Sequence, residues 1–447
     1  MLEIDQIYLG DCLQVMKDIE DKSVDLIVTD PPYGYSFMGK DWDKAVIGVD
    51  YWRECLRVLK DGAFAFVMSS PRQDVLSRMI VNLQDAGFEI GFTSIYWCYA
   101  SGFPKASNIS KMVDKRLGAE REVVGKNPNW RPSQENYSWG DGQLTPQIIN
   151  KNITIPSTDE AKALDGSYGG FQPKPALEVV LVVMKPLSEK TFVDQALSNG
   201  HGVTWLNDVR IPCDNKRSPE FKQPKSKGQF GNTDNSNLIG WDNSQGRFPA
   251  NLLVSDDILN DGVDRKTGWD DKDNISSLMF GSFKVNGSRH FNDSGSFSRF
   301  FSLDSWWDNR IKQLPESVQK TFPFMIIPKA SKAEKNKGCE DLPEKRIEGR
   351  DIGQDERNVP HKHRVTSTTN VHPCVKPIKL FSYLITLGSR EGDLVLDPFV
   401  GSGTSCISAK MLDRRFIGIE KESEYFNIAQ KRVAEAISVK NSQPELF

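Results

Sequence analysis

Short apolar runs recur along the first hundred residues at intervals that are typical of a layered α/β protein. Val24 to Val28 is apolar and too short for a helix, which indicates a strand buried on both faces. Ala63 to Met68 predicts a second buried strand, Ile7 to Asp11 predicts a short one, and Phe88 to Tyr99 is again strand-like. Because helical patterns separate these runs, the sequence predicts a doubly wound parallel sheet.

Apolar residues at helical spacing occupy the gaps between these strands. They predict a helix that starts near Tyr51 and ends at Lys60-Asp61-Gly62, and a second helix over Gln73 to Ala86, which the next glycine ends. A short helix to about Ile19 is predicted after the first strand. Asp11 precedes that helix and has two interpretations, since it either caps the helix or accepts a hydrogen bond from a ligand.

The middle of the chain departs from this alternation. Residues 105–171 begin with a predicted helix, Ile109 to Leu117, and then become polar and rich in loops, which is typical of a functional insertion. The run Val179 to Met184 returns to a buried strand, so the intervening residues are interpreted as an insertion in one long hairpin. Residues 187–321 again lack a regular strand–helix pattern.

A second strong pattern lies near the carboxyl end. A buried strand, Leu394 to Asp397, leads into the turn Gly401-Ser402-Gly403, and a helix is predicted from near Thr404 to Leu412. Phe416 to Glu420 predicts a further strand that ends in an acid, suitably placed to accept from ribose hydroxyls. Glycines allow the backbone to approach a ligand closely, as in dinucleotide-binding folds, but Gly-x-Gly alone fits NAD equally well.

Composition restricts the class of protein without identifying it. With 447 residues the chain is long for one core and suggests two or three units, and its 38% hydrophobic and 26% charged content is ordinary for a soluble protein. No apolar run approaches the roughly 20 residues of a membrane span, and no signal pattern occurs at the amino end, so a cytoplasmic location and no membrane partner are expected. A net charge of −3 means that any contact with nucleic acid has to come from local basic patches.

Cysteine and histidine spacing argues against a metal site. The seven cysteines contain no Cys-x-x-Cys pair, so reduced thiols are expected. His361, His363, His372 and Cys374 do not follow a standard zinc-ligand spacing. We therefore expect no metal.

The sequence Asp30-Pro31-Pro32-Tyr33 ends the strand at Val28 and carries the clearest candidate chemistry. Two prolines stiffen the turn, which places a carboxylate, a carbonyl and an aromatic ring at the carboxyl end of a strand. This tetrapeptide resembles the catalytic motif of the amino-methyltransferases of nucleic acids. Two acceptors, the Asp30 carboxylate and the Pro31 carbonyl, suit an amine whose lone pair is delocalised into a base ring. The alternative is an ordinary turn with an Asp cap.

Two further groups of residues are candidates for contact with a nucleic acid. Tyr33 offers a flat face to a base taken out of its helix. Trp97 either lines the same base pocket or belongs to the core. Basic side chains suited to phosphates cluster in the middle region, with solvated loops as the alternative: Arg210, Lys216, Arg217, Lys222, Lys225 and Lys227.

The resemblance becomes specific when the two ends of the chain are taken together. His372-Pro373-Cys374-Val375-Lys376-Pro377 resembles the His-Pro-x-x-Lys-Pro segment that precedes the glycine motif in the circularly permuted, "beta-class" DNA amino-methyltransferases, with Cys374 where the family more often has Thr. The closest similarity is to phage and prophage adenine methylases, as in Phe37-Met38-Gly39-Lys40 and Ser101-Gly102-Phe103-Pro104-Lys105. It covers about 1–104, 172–186 and 322–437.

This resemblance implies a Rossmann-like methyltransferase sheet, circularly permuted, with a loop-rich target-recognition insertion. The expected units are a catalytic half (1–104), an insertion (105–171), a returning strand (172–186), a target-recognition region (187–321), a cofactor half (322–437) and a polar tail (438–447). The implied cofactor is S-adenosyl-L-methionine. Its implied contacts are Asp11, Cys12, Asp30, His372, Lys376, Asp397, Pro398, Phe399, Gly401, Ser402, Gly403, Thr404 and Glu420. In that assignment Asp11 faces the adenine, Glu420 the ribose and Lys376 the methionine end.

The implied activity is methylation of the exocyclic N6 amine of adenine in double-stranded DNA, by base flipping and direct in-line transfer, with Asp30, Pro31, Pro32 and Tyr33 as the catalytic centre. Cytosine-N4 methylation is the main alternative, and methylation of RNA or of protein amides is a weaker one. The resemblance also allows a homodimer, a companion restriction endonuclease and an origin in a phage or prophage.

Overall fold

The computed structural model describes residues 2–35, 44–99, 106–126, 152–171, 176–213, 246–255, 257–260, 263, 265–267, 293–321, 332–342, 370, 372 and 374–437. The strands are β1 Gln6–Leu9, β2 Val24–Thr29, β3 Leu59–Ser69, β4 Ile95–Cys98, β5 Glu122–Lys126, β6 Asn152–Ile155, β7 Leu177–Met184, β8 Leu252–Val254, β9 Arg265–Thr267, β10 Asp293–Gly295, β11 Leu394–Asp397 and β12 Arg415–Glu420. The helices are α1 Cys12–Val15, α2 Val49–Val58, α3 Gln73–Ala86, α4 Ile109–Arg116, α5 Asp159–Ala163, α6 Phe192–Asn199, α7 Leu303–Ile311, α8 Glu316–Thr321, α9 Lys332–Asn336, α10 Ile378–Gly388, α11 Thr404–Met411 and α12 Ser423–Glu435.

One sheet of eight strands, counted over the described residues, organises the molecule. Its order is β1-β12-β11-β2-β3-β7-β4-β8. The first five strands in this order are parallel to one another, whereas β7 is antiparallel to both of its neighbours. The predicted α/β sheet is therefore confirmed, with one reversed strand.

Alternate residues of β3 bury their side chains on opposite faces of this sheet. Phe64, Phe66 and Met68 belong to one core cluster, which also holds residues of α7, α10, α11 and α12. Ala63, Ala65 and Val67 belong to the other cluster, together with residues of α1, α2 and α3. Helices thus cover both faces, which is the doubly wound arrangement that the sequence predicted.

After β2 and after β11 the chain crosses to opposite faces of the sheet. From β2 it passes through α2 to β3, and from β11 it passes through α11 to β12, and these two helices pack on opposite faces. Since β2 and β11 are neighbours, paired at Ile27 and Leu396, a crevice opens at their carboxyl ends. Such a reversal of strand order is where open α/β sheets bind ligands.

Two predicted element boundaries were wrong. The helix predicted from Tyr51 ends at Val58, and residues 59–62 belong to β3, because Leu59 pairs with Val24 and is fully buried. The pairing then jumps to Leu26 and Phe64, so the extra residues form a bulge that includes Gly62 at φ +77°. The strand predicted over Phe88 to Tyr99 is limited to β4, which pairs with β7 and β8, and Glu89 ahead of it forms an isolated bridge to Met184 of β7.

Residues 105–171 leave the sheet where the sequence predicted. Strands β4 and β7 form the expected antiparallel hairpin, and the described part of the insertion holds α4, the β5–β6 hairpin and α5. The buried carboxylate of Asp114 connects these pieces by accepting from Arg121 at 2.6 Å and from the Thr158 backbone at 3.0 Å.

Described parts of residues 187–321, the range predicted for target recognition, pack on the main sheet. β8 pairs with β4 at the edge of the main sheet, and Trp306 and Trp307 of α7 lie in its core. Large apolar side chains therefore hold part of this region against the main sheet. Residues 214–245 and 268–292 lie outside the described residues.

Three further features concern the class of protein: the state of the cysteines, membrane-spanning helices and metal-binding clusters. The cysteines of the described residues form no disulfide bond. The described part of the chain contains no helix that is long and apolar enough to cross a membrane, and no metal-binding cluster of His, Cys, Asp or Glu.

Candidate active site

A cavity of about 550 Å³ lies at the carboxyl ends of β2 and β11 and joins the two predicted corners. The sequence-predicted residues that line it are Asp11, Cys12, Asp30, Pro31, Pro32, Tyr33, Trp97, His372, Lys376, Asp397, Pro398, Phe399, Gly401, Ser402, Thr404 and Glu420. Residues from opposite ends of the sequence thus share one pocket of a size usual for a ligand site.

The Asp30 carboxylate is held by one partner on each oxygen. The Tyr33 hydroxyl donates to Oδ1 at 2.6 Å, and the Lys376 ammonium lies 2.8 Å from Oδ2. Burial raises the pKa of Asp30, although the positive charge of Lys376 opposes the rise. Each oxygen keeps a second lone pair, so the carboxylate can still accept from an incoming N–H group.

Lys376 lies against Asp30, whereas the resemblance implied a role at the methionine end of a cofactor. Its ammonium is also 2.8 Å from Oε2 of Glu178, a residue that the sequence reasoning missed. Burial lowers the pKa of Lys376, but the two carboxylates outweigh that effect and hold the pKa well above its ordinary value. A single acid next to the apolar run Val179 to Met184 was the available signal for Glu178.

Two aromatic side chains shape the pocket near Asp30. The Tyr33 ring is fixed by its hydrogen bond to Asp30, and the Lys376 ammonium lies 5.6 Å from its centroid. Trp97 is 1% exposed, donates from Nε1 to Ser255 Oγ at 3.1 Å and packs against Tyr99. Trp97 is therefore a core residue, and it also lines the cavity, so its two interpretations are compatible.

Asp397 connects the glycine corner to the catalytic strand. Its Oδ1 accepts from Thr29 Oγ1 at 2.6 Å and from the Phe399 backbone N–H at 3.0 Å, and its Oδ2 accepts from Ser405 Oγ. Burial raises its pKa to about 6 despite these hydrogen bonds. Because neighbouring groups of the protein occupy three of its four acceptor sites, Asp397 positions the two corners relative to each other.

Gly401 and Gly403 have different roles. Gly401 has φ +53°, and a Cβ there would lie 2.8 Å from Nε2 of His372, so the backbone and the space both require glycine. Gly403 does not line the cavity: at φ +87° it packs against Ala429 of α12 and caps α11. The cofactor contact predicted for Gly403 stays a prediction, and the described contacts of this residue are with α12.

The histidine beside Gly401 is an uncharged neighbour. Burial lowers the pKa of His372 to about 3, and its Nδ1 accepts from the Cys374 backbone N–H at 3.3 Å. Its ring packs edge-on against Tyr425 at 4.5 Å. His372 therefore supports the glycine turn by packing and does not contribute charge.

Glu420, the predicted ribose acceptor, ends β12 at the cavity wall. Its two oxygens accept from the backbone N–H groups of Gly401 and Glu422, each at 2.8 Å, and burial raises its pKa to about 7. Each oxygen retains one lone pair for a hydroxyl group. The same carboxylate thus shapes the glycine turn and is available to a ligand.

Asp11 fits both of its interpretations. Its side chain caps α1 by accepting from the Leu13 N–H at 3.0 Å, and the residue lines the cavity. The neighbouring Cys12 is buried, which raises its pKa to about 12, so it is a neutral thiol at the wall. Cys12 therefore adds apolar surface to the pocket.

The structure describes one of the six predicted basic DNA contacts. Arg210 donates to Asn207 Oδ1 at 3.0 Å and to the Gly246 carbonyl at 3.2 Å, and it lies over the Phe248 ring. The guanidinium of Arg210 is therefore already bound by groups of the protein itself. Lys216, Arg217, Lys222, Lys225 and Lys227 lie outside the described residues.

Comparison with known proteins agrees with this geometry. The chain belongs to the N6_N4 family described as DNA methylase, which matches residues 24–431. The Type II methyltransferase M2.DpnII of Streptococcus pneumoniae is 50% identical over 70 residues, which are 16% of this chain and 26% of that protein. The Type II methyltransferase M.HindIII of Haemophilus influenzae is 47% identical over 73 residues, 16% of this chain and 24% of that protein. The chain thus matches about a quarter of the length of these relatives.

Among solved structures, the PvuII DNA methyltransferase (cytosine-N4-specific) aligns at a TM-score of 0.38 with 15% identity, covering 96% of this chain and 85% of that one.

S-adenosyl-L-methionine is the cofactor that this family implies, and the residues present fit it. The cavity wall combines the apolar Pro398 and Phe399 with the acid Glu420, and the backbone of the Gly401 turn lines the same cavity. An apolar wall with a few fixed polar groups is suited to a nucleoside and its sugar.

Proposed function

We propose that this chain transfers a methyl group from S-adenosyl-L-methionine to the N6 amine of adenine in double-stranded DNA. One observation carries the proposal: the Asp30 carboxylate and the glycine turn at Gly401 line the same cavity. The first supplies acceptors for an amine, and the second a place for a cofactor. The chain order, with the catalytic strand first and the glycine turn near the carboxyl end, supports the permuted class.

The chemistry of the catalytic corner follows from its acceptors. S-adenosyl-L-methionine, when bound, supplies an electrophilic methyl group. The Asp30 carboxylate and the Pro31 carbonyl accept the two N–H groups of the target amine, which favours a tetrahedral nitrogen and localises its lone pair. Asp30 also offsets the positive charge that develops on that nitrogen. Near-attack geometry accounts for much of the rate gain in such transfers.

The target base has to leave the duplex to reach this cavity. Flipping costs a few kcal/mol, and stacking on the Tyr33 ring recovers part of that cost. Further recovery is expected from groove contacts made by residues 187–321. A purine or a pyrimidine amine fits the same two acceptors, so the choice of adenine rests on Asp at the first position of the Asp30-Pro31-Pro32-Tyr33 motif. Cytosine N4 is the second candidate.

The test is methyl transfer from labelled S-adenosyl-L-methionine to genomic DNA, RNA and protein from a methylation-free bacterial host, each assayed separately, followed by mass spectrometry of the DNA nucleosides. We expect N6-methyladenine from the wild type. Asp30→Ala should abolish transfer and leave cofactor binding by calorimetry largely intact. Asp21→Ala is the matched control, since Asp21 is exposed and pairs with Arg57 away from the cavity.

Three outcomes would contradict the proposal. Near-normal turnover by Asp30→Ala would remove Asp30 from the centre. N4-methylcytosine as the product would select the second candidate. Label in RNA or protein, with none in DNA, would exclude both. The homodimer, the companion endonuclease and the phage origin stay predictions.

A further inference from the structure

The Lys376 ammonium lies between two carboxylates from distant parts of the chain. It is 2.8 Å from Oδ2 of Asp30 and 2.8 Å from Oε2 of Glu178. The side chains are 11%, 17% and 17% exposed for Lys376, Asp30 and Glu178, so all three are largely withdrawn from water. We name these residues the charge triad.

The charge triad has a net charge that the Asp30–Lys376 pair lacks. Lys376 carries one positive charge and cancels one carboxylate, so the pair alone is neutral and the triad with both acids ionised carries one negative charge. A buried site without bulk water makes this difference large for any charge that forms beside it. Glu178 therefore decides whether the centre is neutral or anionic.

The reaction of the proposed function creates a positive charge at this point. The amine nitrogen uses its lone pair to bond the methyl carbon, and the electron pair of the old carbon–sulfur bond stays on sulfur. The nitrogen is positive until one of its N–H protons passes to the Asp30 carboxylate and from there to water. An anionic centre stabilises that nitrogen more strongly than a neutral one does.

We propose that Glu178 is a positioning residue that acts through Lys376: it restores to the centre the negative charge that Lys376 removes from Asp30. The inference rests on the proposed function and deepens it. Glu178 also gives the ammonium a second anchor, which holds it in place when the target amine takes up hydrogen bonds to Asp30.

The tyrosine and histidine side chains that face the charge triad do not alter this count. The Tyr33 hydroxyl donates to Asp30, and the Tyr99 hydroxyl donates to Glu178 at 3.5 Å. Burial raises the pKa of both tyrosines, so they are neutral donors. His372 is uncharged, and Cys374 lies on the Lys376 side of the pocket. Asp397 adds negative charge from the glycine corner, and it is unchanged in every variant below.

The experiment measures single-turnover methylation of the methylation-free genomic DNA at saturating S-adenosyl-L-methionine. Glu178→Gln keeps the shape of the side chain and removes its charge, and we expect the rate to fall roughly tenfold or more. Cofactor affinity, measured by calorimetry, should stay within about twofold. Glu178→Asp retains the charge and should give an intermediate rate. Glu54→Gln is the matched control, because Glu54 pairs with Arg57 on α2 and does not line the cavity.

A double variant separates charge from simple structural damage. Lys376→Met with Glu178→Gln leaves Asp30 as the single charge of the three positions, so the negative charge returns and the rate should exceed that of Glu178→Gln several-fold. A residue that only packs would make the double variant slower than either single one. Urea unfolding of each variant checks that the fold is retained.

The outcomes distinguish this inference from the function on which it rests. A wild-type chain that does not methylate DNA refutes the proposed function. If the wild type is active and Asp30→Ala is inactive, then a Glu178→Gln rate equal to wild type overturns the inference alone. A double variant slower than Glu178→Gln, at saturating cofactor, also overturns it.

Discussion

Two aspartates at opposite ends of β2 show how the same side chain serves structure at one end and chemistry at the other. Asp25 lies at the amino end, where its carboxylate meets Lys60, Nε2 of His201 at 3.0 Å and the Leu394 backbone N–H at 2.8 Å. Burial would raise the pKa of Asp25, but these donors outweigh burial and lower it. At Asp30 burial prevails over Lys376, and the pKa is raised.

The two aspartates differ in the groups that donate to their carboxylates. Asp25 accepts a hydrogen bond from a backbone N–H of β11, so its ionised carboxylate helps to hold the sheet together. Asp30 has two side-chain donors, and one of them, Lys376, is shared with Glu178. A carboxylate with an incomplete set of donors holds free acceptor capacity at a cost in stability, which is how functional sites commonly differ from structural ones.

The largest expected effect comes from removing each charge in turn. Asp25→Asn should lower the free energy of unfolding by about 2 kcal/mol, because it breaks a buried network of donors. Asp30→Asn should change stability by less than about 1 kcal/mol or increase it, since Lys376 keeps Glu178 as a partner. Urea unfolding at neutral pH measures both.

The stabilisation that Asp25 provides should depend on pH in a defined direction. The folded pKa of Asp25 is below its ordinary value of 3.8, so its stabilisation is present above that value and is lost as pH falls through the folded pKa. The stability gap between wild type and Asp25→Asn should therefore close in acid. A gap that persists unchanged at low pH, or an Asp30→Asn variant that is the less stable of the two, would contradict the contrast.

The next largest effect concerns the turn that faces Asp30 across the cavity. Gly401→Ala strains the backbone at φ +53° and pushes a Cβ against His372, so we expect cofactor affinity to fall roughly tenfold or more by calorimetry. Gly392→Ala is the matched control, because Gly392 has φ +87° with open space around it and lies away from the cavity. Equal loss of affinity in both variants would mean that strain alone, and not the shape of the cavity, explains the effect.

The smallest effect concerns the hydroxyl that holds Asp30. Tyr33→Phe keeps the ring for stacking and removes the donor to Oδ1, so we expect the single-turnover rate to fall roughly threefold. Tyr8→Phe serves as control, since the Tyr8 hydroxyl donates to the Glu3 carbonyl, away from the cavity. An unchanged rate for Tyr33→Phe would show that Lys376 alone orients the carboxylate.

Local patterns predicted the sheet and both corners of the site. Val24 to Val28 and Leu394 to Asp397 are apolar runs that end in stiff or glycine-rich turns, and such signals depend only on neighbouring residues. Glu178 was missed because its importance comes from Lys376, which lies far along the chain. The contact of Gly403 with Ala429 was not predicted for the same reason, since it depends on how α12 packs.

The bulge in β3 shows a place where a local pattern predicted the wrong element. Helical spacing favoured a helix through Leu59, and the pairing of Leu59 with Val24 overrode it. Tertiary packing often prevails over local preference in this way. Similarly, no local pattern in residues 187–321 predicted that Trp306 and Trp307 would pack in the core of the main sheet.

The place of β12 in the sheet has a consequence for synthesis on the ribosome. In the described sheet β1 pairs with β12 alone, and β11 separates β12 from β2. A nascent chain therefore displays β1 and one edge of β2 without hydrogen-bond partners until most of the polypeptide has emerged, at about 5–20 residues per second. During that interval the exposed edges invite aggregation, so cells that make this protein have reason to shield the growing chain with chaperones.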